Sequence, residues 1–136
     1  QQGTQLYDLA KTGAAKYSTI KALDPVSNQY IAVKGCLDSG AYTNVASFNL
    51  HSKYCTKIKP CNRDVFMKLL NGSVVPALRV ARMTLKSEVS NNVYEIFENI
   101  MVYLVDDPSW TEVLIGRPAL ALKKLLPEQN ISKKNE

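Results

Sequence analysis

Turn-forming clusters recur along this chain between short runs rich in β-branched and aromatic residues, and that punctuation constrains the fold more than any other feature. Asp24-Pro25-Val26-Ser27-Asn28 separates Tyr17–Leu23 from Tyr30–Leu37, so Tyr17–Leu37 reads as a β-hairpin. Val65–Leu70 and Val74–Lys86 flank Asn71-Gly72, a dipeptide suited to a two-residue hairpin turn. Pro76 and the alternation of Arg79 and Arg82 set this second hairpin partly proud of the core. Tyr94–Val105 is a further strand, with Ile96, Ile100, Val102 and Leu104 as its apolar members. Asp106-Asp107-Pro108-Ser109 turns the chain into a strand at Glu112–Ile115, which ends at Gly116.

Helical character is sparse. Pro118 stands where the first turn of a helix tolerates it, and Ala119–Leu126 reads as a short helix closed by Pro127. Val45–Leu50 is a short apolar segment, and Ser52–Arg63 a basic connection containing Cys and Pro. Residues 1–15 read as a loose arm with a short helix at Gln5–Lys11, and residues 128–136 as a polar tail. The expectation is a single domain over residues 1–136, all-β with one late helix, folded as a small closed β structure.

Composition removes several classes. Apolar residues are 46% and charged residues 21%, which excludes a disordered tail, a collagen-like fibre and a coiled coil. The longest apolar runs, such as Ile100–Val105, fall far short of a membrane span. Gln1–Ala10 has no basic segment followed by an apolar stretch, so no secretory signal is expected within it. The net charge of +5 is spread over scattered lysines and arginines with no interleaved aromatic platform, so a nucleic-acid partner is not expected. Three cysteines, Cys36, Cys55 and Cys61, leave one unpaired in any intramolecular scheme, which suits a reducing compartment. His51, Cys55 and Cys61 match no zinc spacing and supply too few ligands for a closed site, so no metal is expected. Ser39 and Ser47 do not read as nucleophiles, because His51 is the lone histidine and has no orienting acid.

The chemistry concentrates in Gly35-Cys36-Leu37-Asp38-Ser39-Gly40-Ala41-Tyr42-Thr43-Asn44-Val45-Ala46-Ser47. An Asp carried by an apolar strand into a Ser-Gly turn is the signature of aspartic proteases. Cys36 and Leu37 anchor the carboxylate from below, the Ser39 hydroxyl can hold the loop through a backbone group, and Gly40 lets two such loops approach. Two carboxylates about 3 Å apart share one proton, so one acts as general base on a water while the other polarises the scissile carbonyl. Asp38 is the only Asp followed by Ser/Thr-Gly, so its partner carboxylate must come from a second copy across a two-fold axis.

Asp38-Ser39-Gly40-Ala41, followed by Asn44, an apolar residue and Ser47, resembles the aspartic proteases of LTR retrotransposons. Leu69-Leu70-Asn71-Gly72-Ser73 looks like their flap, and Val113-Leu114-Ile115-Gly116-Arg117-Pro118-Ala119-Leu120 resembles the Gly-Arg segment that passes beside the active loop and opens their helix. The three stretches occur in family order across Tyr17–Leu126. The resemblance implies a retropepsin-like closed β-barrel, active as a homodimer without cofactor, that cuts extended polypeptide and processes a retrotransposon polyprotein. It implies Asp38 as catalytic, Ser39 and Gly40 as loop support, Ala41, Tyr42, Asn71, Gly72 and Ser73 as substrate contacts, and Gly116 and Arg117 as structural neighbours. It also implies an intracellular setting, cytoplasmic or within virus-like particles.

Three departures accompany it. Tyr42 stands where retroviral proteases carry an acid that pairs with the Arg of the Gly-Arg segment, which leaves Arg117 open to backbone carbonyls or to another acid. The flap has one glycine, and Asn130–Glu136 matches poorly the apolar strand that knits retroviral dimers. The alternative is a host-adopted or catalytically degenerate module of the same fold that serves dimerisation or binding.

Overall fold

The computed structural model describes residues 3–9, 15–122 and 124–127, the last four by their backbone. The fold is mostly β. Its strands are β1 (Thr4–Asp8), β2 (Ala15–Tyr17), β3 (Ile20–Asp24), β4 (Gln29–Val33), β5 (Gly35–Asp38), β6 (Val45–Ser47), β7 (Thr56–Pro60), β8 (Asp64–Lys68), β9 (Val74–Ser90), β10 (Val93–Val105), β11 (Val113–Ile115) and β12 (Lys124–Pro127). Two single-turn helices, α1 (Phe48–His51) and α2 (Arg117–Leu120), interrupt them. The main strand path runs β1-β8-β9-β10-β6-β11-β5-β2 and does not close on itself among the described residues. No helix among them is long and apolar enough to cross a membrane.

Two apolar clusters share the central strands. Ala81, Met83, Leu85, Phe97, Val102, Leu104, Val113 and Ile115 belong to the first. Cys36, Ala41, Val45, Val65, Met67, Val75, Tyr103, Val105 and Leu114 belong to the second. The alternation of β10 and β11 residues between the clusters explains the unbroken apolar runs Val102–Val105 and Val113–Ile115, since both faces of these strands are buried.

The hairpin read at Tyr17–Leu37 is present as β3 and β4, paired from Ile20↔Val33 to Asp24↔Gln29. Asp24 builds its turn: its Oδ1 accepts the N–H of Val26 at 2.9 Å, and its carbonyl accepts that of Asn28 at 2.7 Å. Asn28 takes the positive φ of 61° that the turn needs. The strand breaks at Lys34, so Tyr30–Leu37 is two strands rather than one.

Several readings are corrected. The helix expected at Gln5–Lys11 is strand over Gln5–Asp8, and within the arm expected at residues 1–15 Thr4–Asp8 runs parallel to Asp64–Lys68. Local sequence carries no trace of a ladder whose other rail lies some 60 residues away. The helix expected at Ala119–Leu126 stops after one turn at Leu120, and Lys124–Pro127 pairs antiparallel with Val93–Ile96 instead. In β10 a register shift between Phe97 and Ile100 moves the apolar parity by one, so Phe97 is buried and Ile96 only half-buried. Asn99, at φ 52°, sits in that bulge and donates its N–H to Thr84 Oγ1 at 3.0 Å. Residues 128–136, the expected polar tail, lie outside the described residues.

The Asn71-Gly72 hairpin exists, but not as a two-residue turn. The Gly72 N–H donates to the Leu69 carbonyl at 2.9 Å and the Leu69 N–H to the Ser73 carbonyl at 2.8 Å, which puts Leu70 and Asn71 at the turn's centre. Gly72 follows in the left-handed region at φ 87°, the arrangement of a type I turn with a glycine bulge. The hairpin is buried on one side only, in keeping with the expectation that it stands partly proud of the core. Val65, Met67, Leu69, Val75 and Ala77 are buried along one of its faces, while Pro76 and Leu78 are exposed on the other.

Candidate functional site

β5 and β11 run parallel, with Val113↔Gly35 and Ile115↔Leu37, so both deliver their C-terminal ends to the same place. At that end the chain leaves β5 through Asp38-Ser39-Gly40 and leaves β11 through Gly116-Arg117. Asp38 is 1% exposed. Its Oδ1 accepts the Gly40 N–H at 2.9 Å and its carbonyl accepts the Ala41 N–H at 3.1 Å, so one residue closes the loop with both its acceptors.

The two segments are bolted together by short bonds. The Arg117 N–H donates to the Ala41 carbonyl at 2.8 Å, and Arg117 Nε donates to the Ser39 carbonyl at 3.1 Å. The guanidinium lies over the Tyr42 ring at 4.9 Å from its centroid. Arg117 therefore engages a backbone carbonyl and an aromatic face at once. Ser39 is exposed and serves this contact through its carbonyl.

Asn44 is the residue that sequence reasoning quoted but did not single out. It is 6% exposed, and its Oδ1 accepts the Gly116 N–H at 2.8 Å while its Nδ2 donates to the Met101 carbonyl at 3.0 Å. Its own carbonyl accepts the Tyr103 N–H at 2.9 Å. One side chain thus ties β10, the loop and the start of α2. Gly116 shows how close the packing is: a Cβ there would lie 2.2 Å from the Thr43 carbonyl oxygen and 2.9 Å from that of Ala41. The advance signal for Asn44 was its place in the Asp38–Ser47 pattern, a polar amide followed directly by the apolar Val45-Ala46.

Asp38, Ser39, Gly40, Ala41, Tyr42, Gly116 and Arg117 are thus brought together. Asn71, Gly72 and Ser73 are not. They are exposed, and Asn71 Oδ1 accepts both the N–H and the hydroxyl of Ser73, at 2.9 and 2.6 Å. Asn71 borders a cleft of about 220 Å³ with Lys34, Trp110 and Glu112. Lys34 and Glu112 precede β5 and β11, so this cleft lies at the far end of both strands, roughly 13 Å along the chain from Asp38.

A larger cleft of about 570 Å³ adjoins the loop, lined by Tyr42, Thr43, Asn44, Pro118 and Ala119 together with Tyr7 and Tyr103. Two tyrosine rings on its wall, Tyr7 and Tyr103, lie 5.6 Å apart, and burial, then the Tyr103 hydroxyl, raises the Tyr7 hydroxyl above its ordinary range.

Cys36, Cys55 and His51 are buried. Burial pushes the Cys36 thiol up to about 12, and the neighbouring Glu112 carboxylate, 3.7 Å from its sulfur, adds to this. Burial alone does the same to Cys55, whose Sγ–H donates to the His51 carbonyl at 3.3 Å. His51 is 3% exposed and lowered to about 4 by burial, and its Nδ1 accepts the Ser47 N–H at 2.9 Å. Its accepting nitrogen is thereby spent on α1, whose N-cap is Ser47. Glu112 gathers donors from Tyr17 at 3.4 Å, Cys36 and Lys34 at 3.9 Å.

Comparison with protein-family models, with curated proteins and with solved structures finds no match for this chain.

Proposed function

We propose that this chain is an aspartic endopeptidase of the retropepsin kind, active as a homodimer in which Asp38 and its symmetry mate form the dyad. The observation that carries the reading is the Asp38 loop: its carboxylate is fixed by the Gly40 N–H, and the loop is braced by Gly116 and Arg117 through Asn44, Ala41 and Ser39. A carboxylate so placed has its second oxygen free of any bond within the loop, and can hold a water once a second copy supplies the other acid. The substrate is extended polypeptide, and its source a retrotransposon polyprotein processed inside the cell or within virus-like particles.

The experiment is incubation with a diverse peptide mixture at about pH 5, the range where a dyad holds a single proton, read by mass spectrometry beside an Asp38→Asn control. Cleavage that vanishes in the control, rises in specific activity with protein concentration and is poisoned by added Asp38→Asn chains supports the reading. A strict monomer that cleaves at a concentration-independent rate would falsify it.

Two observations favour a second reading, a binding module that keeps the fold without the chemistry: Asp38 is 1% exposed and the Asn71–Ser73 hairpin tip lies away from it. Peptide binding with no cleavage at any concentration selects that reading.

A further inference from the structure

The outer edge of β8 is occupied. β1 runs parallel to it in unbroken register, Thr4↔Asp64 through Asp8↔Lys68, and caps the end of the strand path. Without β1, the β8 backbone between Asp64 and Lys68 would present an open row of donors and acceptors, the kind of edge on which an extended peptide docks.

None of the β1 side chains is fully buried. Thr4 and Leu6 are exposed, Gln5, Tyr7 and Asp8 are half-buried, and only the following Leu9 is buried, at 2%. Leu9 belongs to the second core with Cys36 and Ala41, and Tyr7 packs against Tyr103 on the cleft that adjoins the loop. The chain meets the Asp38 loop again at Ala15, the strand partner of Asp38. An extended segment that pairs with the hairpin edge and seats two side chains two residues apart, Tyr7 against Tyr103 and Leu9 in the core of Cys36 and Ala41, has the attributes of a bound peptide.

We propose that Thr4–Leu9 is an intramolecular occupant of a peptide-binding edge on β8, that it blocks this edge in cis, and that peptides able to replace it carry an aromatic and an aliphatic residue in the pattern of Tyr7-x-Leu9. The inference rests on the peptide-directed reading of the site given above, and adds to it a self-blocked resting state and a side-chain preference. A competitor tethered in cis lowers apparent affinity by the fraction of chains in which the edge is free, so releasing it tightens binding by that factor.

The test uses the 136-residue chain carrying Asp38→Asn, so that binding is read without turnover. The probe is a fluorescent peptide of the chain's own sequence, Thr-Gln-Leu-Tyr-Asp-Leu, beside a scrambled version. Leu9→Glu, which cannot seat in the apolar core, is expected to bind the probe about tenfold or more tighter than the unsubstituted chain, and the scrambled peptide no better. A folded L9E chain that binds the probe no tighter, or binds both peptides alike, overturns the proposal.

A clamp provides an answer should L9E fail to fold. Leu6 and Phe66 are direct partners across the parallel pair, within disulfide reach, so Leu6→Cys with Phe66→Cys pins β1 in place. The oxidised clamp is expected to exclude the probe and reduction to restore binding; equal binding in the two states overturns the proposal. Restoring Asp38 separates the two claims. Clamp-sensitive binding without cleavage keeps this inference and removes the protease reading, whereas cleavage indifferent to the clamp does the reverse.

Discussion

Arg117 Nε donates to the Ser39 carbonyl at 3.1 Å while its guanidinium covers the Tyr42 ring, so one side chain engages two consecutive parts of the Asp38 loop. Because Tyr42 is 64% exposed, the ring contact is expected to be modest. A double-mutant cycle with Tyr42→Ala and Arg117→Ala should give a coupling of about 0.5–1 kcal/mol by urea denaturation. Arg117→Lys should keep most of that coupling yet lose the Ser39 bond, and with it most of any cleavage activity. Zero coupling would mean that the stacking is incidental.

Asn44 should matter more than either. Asn44→Ala strips the buried Gly116 N–H and the Met101 carbonyl of their partners, at an expected cost of about 3 kcal/mol in urea denaturation. A loss below about 1 kcal/mol would show that those groups find other partners.

Acid should loosen the fold through His51. Its folded value of about 4 lies below the ordinary 6.5, so the unfolded chain binds the proton more readily. Stability therefore falls as pH drops from about 6.5 towards 4, by roughly 3 kcal/mol in total, and this part of the pH dependence is flat above and below that window. In His51→Gln, melting followed against pH should lose that slope. A slope unchanged by the substitution would assign the acid sensitivity to other groups. Any cleavage assay under mildly acidic conditions therefore runs where the fold is already weakened.

Two glycines should fail for opposite reasons. A Cβ at Gly116 collides with backbone oxygen at 2.2 Å, so Gly116→Ala is expected to cost about 3 kcal/mol or more. At Gly72 nothing lies within 4 Å, and only the φ of 87° resists a side chain, so Gly72→Ala should cost about 1 kcal/mol. Gly72→Val, stiffer at χ1, should remain folded and lower cleavage strongly if the hairpin moves over substrate. Comparable losses for Gly116→Ala and Gly72→Ala would contradict the packing seen around Gly116.

What was legible in the sequence was local. Asp24–Asn28 declares its turn through Asp24 and Asn28, and Asp38-Ser39-Gly40 declares its loop through an acceptor two residues before a glycine N–H. What was not legible depends on partners distant in sequence. β1 and β12 are strands only because Asp64–Lys68 and Val93–Ile96 offer them edges, and a one-turn helix with Pro118 in its first turn looks locally like the start of a longer one. Asn44 escaped notice for the same reason: Gly116 and Met101, which give it its role, lie more than fifty residues along the chain. The bulge beside Asn99 displaced the parity of β10 without any glycine to announce it.

β9 runs for 17 residues, starting beside β8 and then pairing with β7, β10 and β3. Ala77 near its start belongs to one core and Ala81, Met83 and Leu85 further on to the other. A single rod of backbone thus carries both halves of the molecule, and neither can melt at β9 without disturbing the other. Amide protons along Ala77–Leu85 should therefore exchange with solvent at one common, slow rate set by global opening, while those of Asp64–Lys68 exchange sooner. Such a chain has one folding unit with a detachable border, and any motion of the hairpin must take place where β9 emerges from its first core.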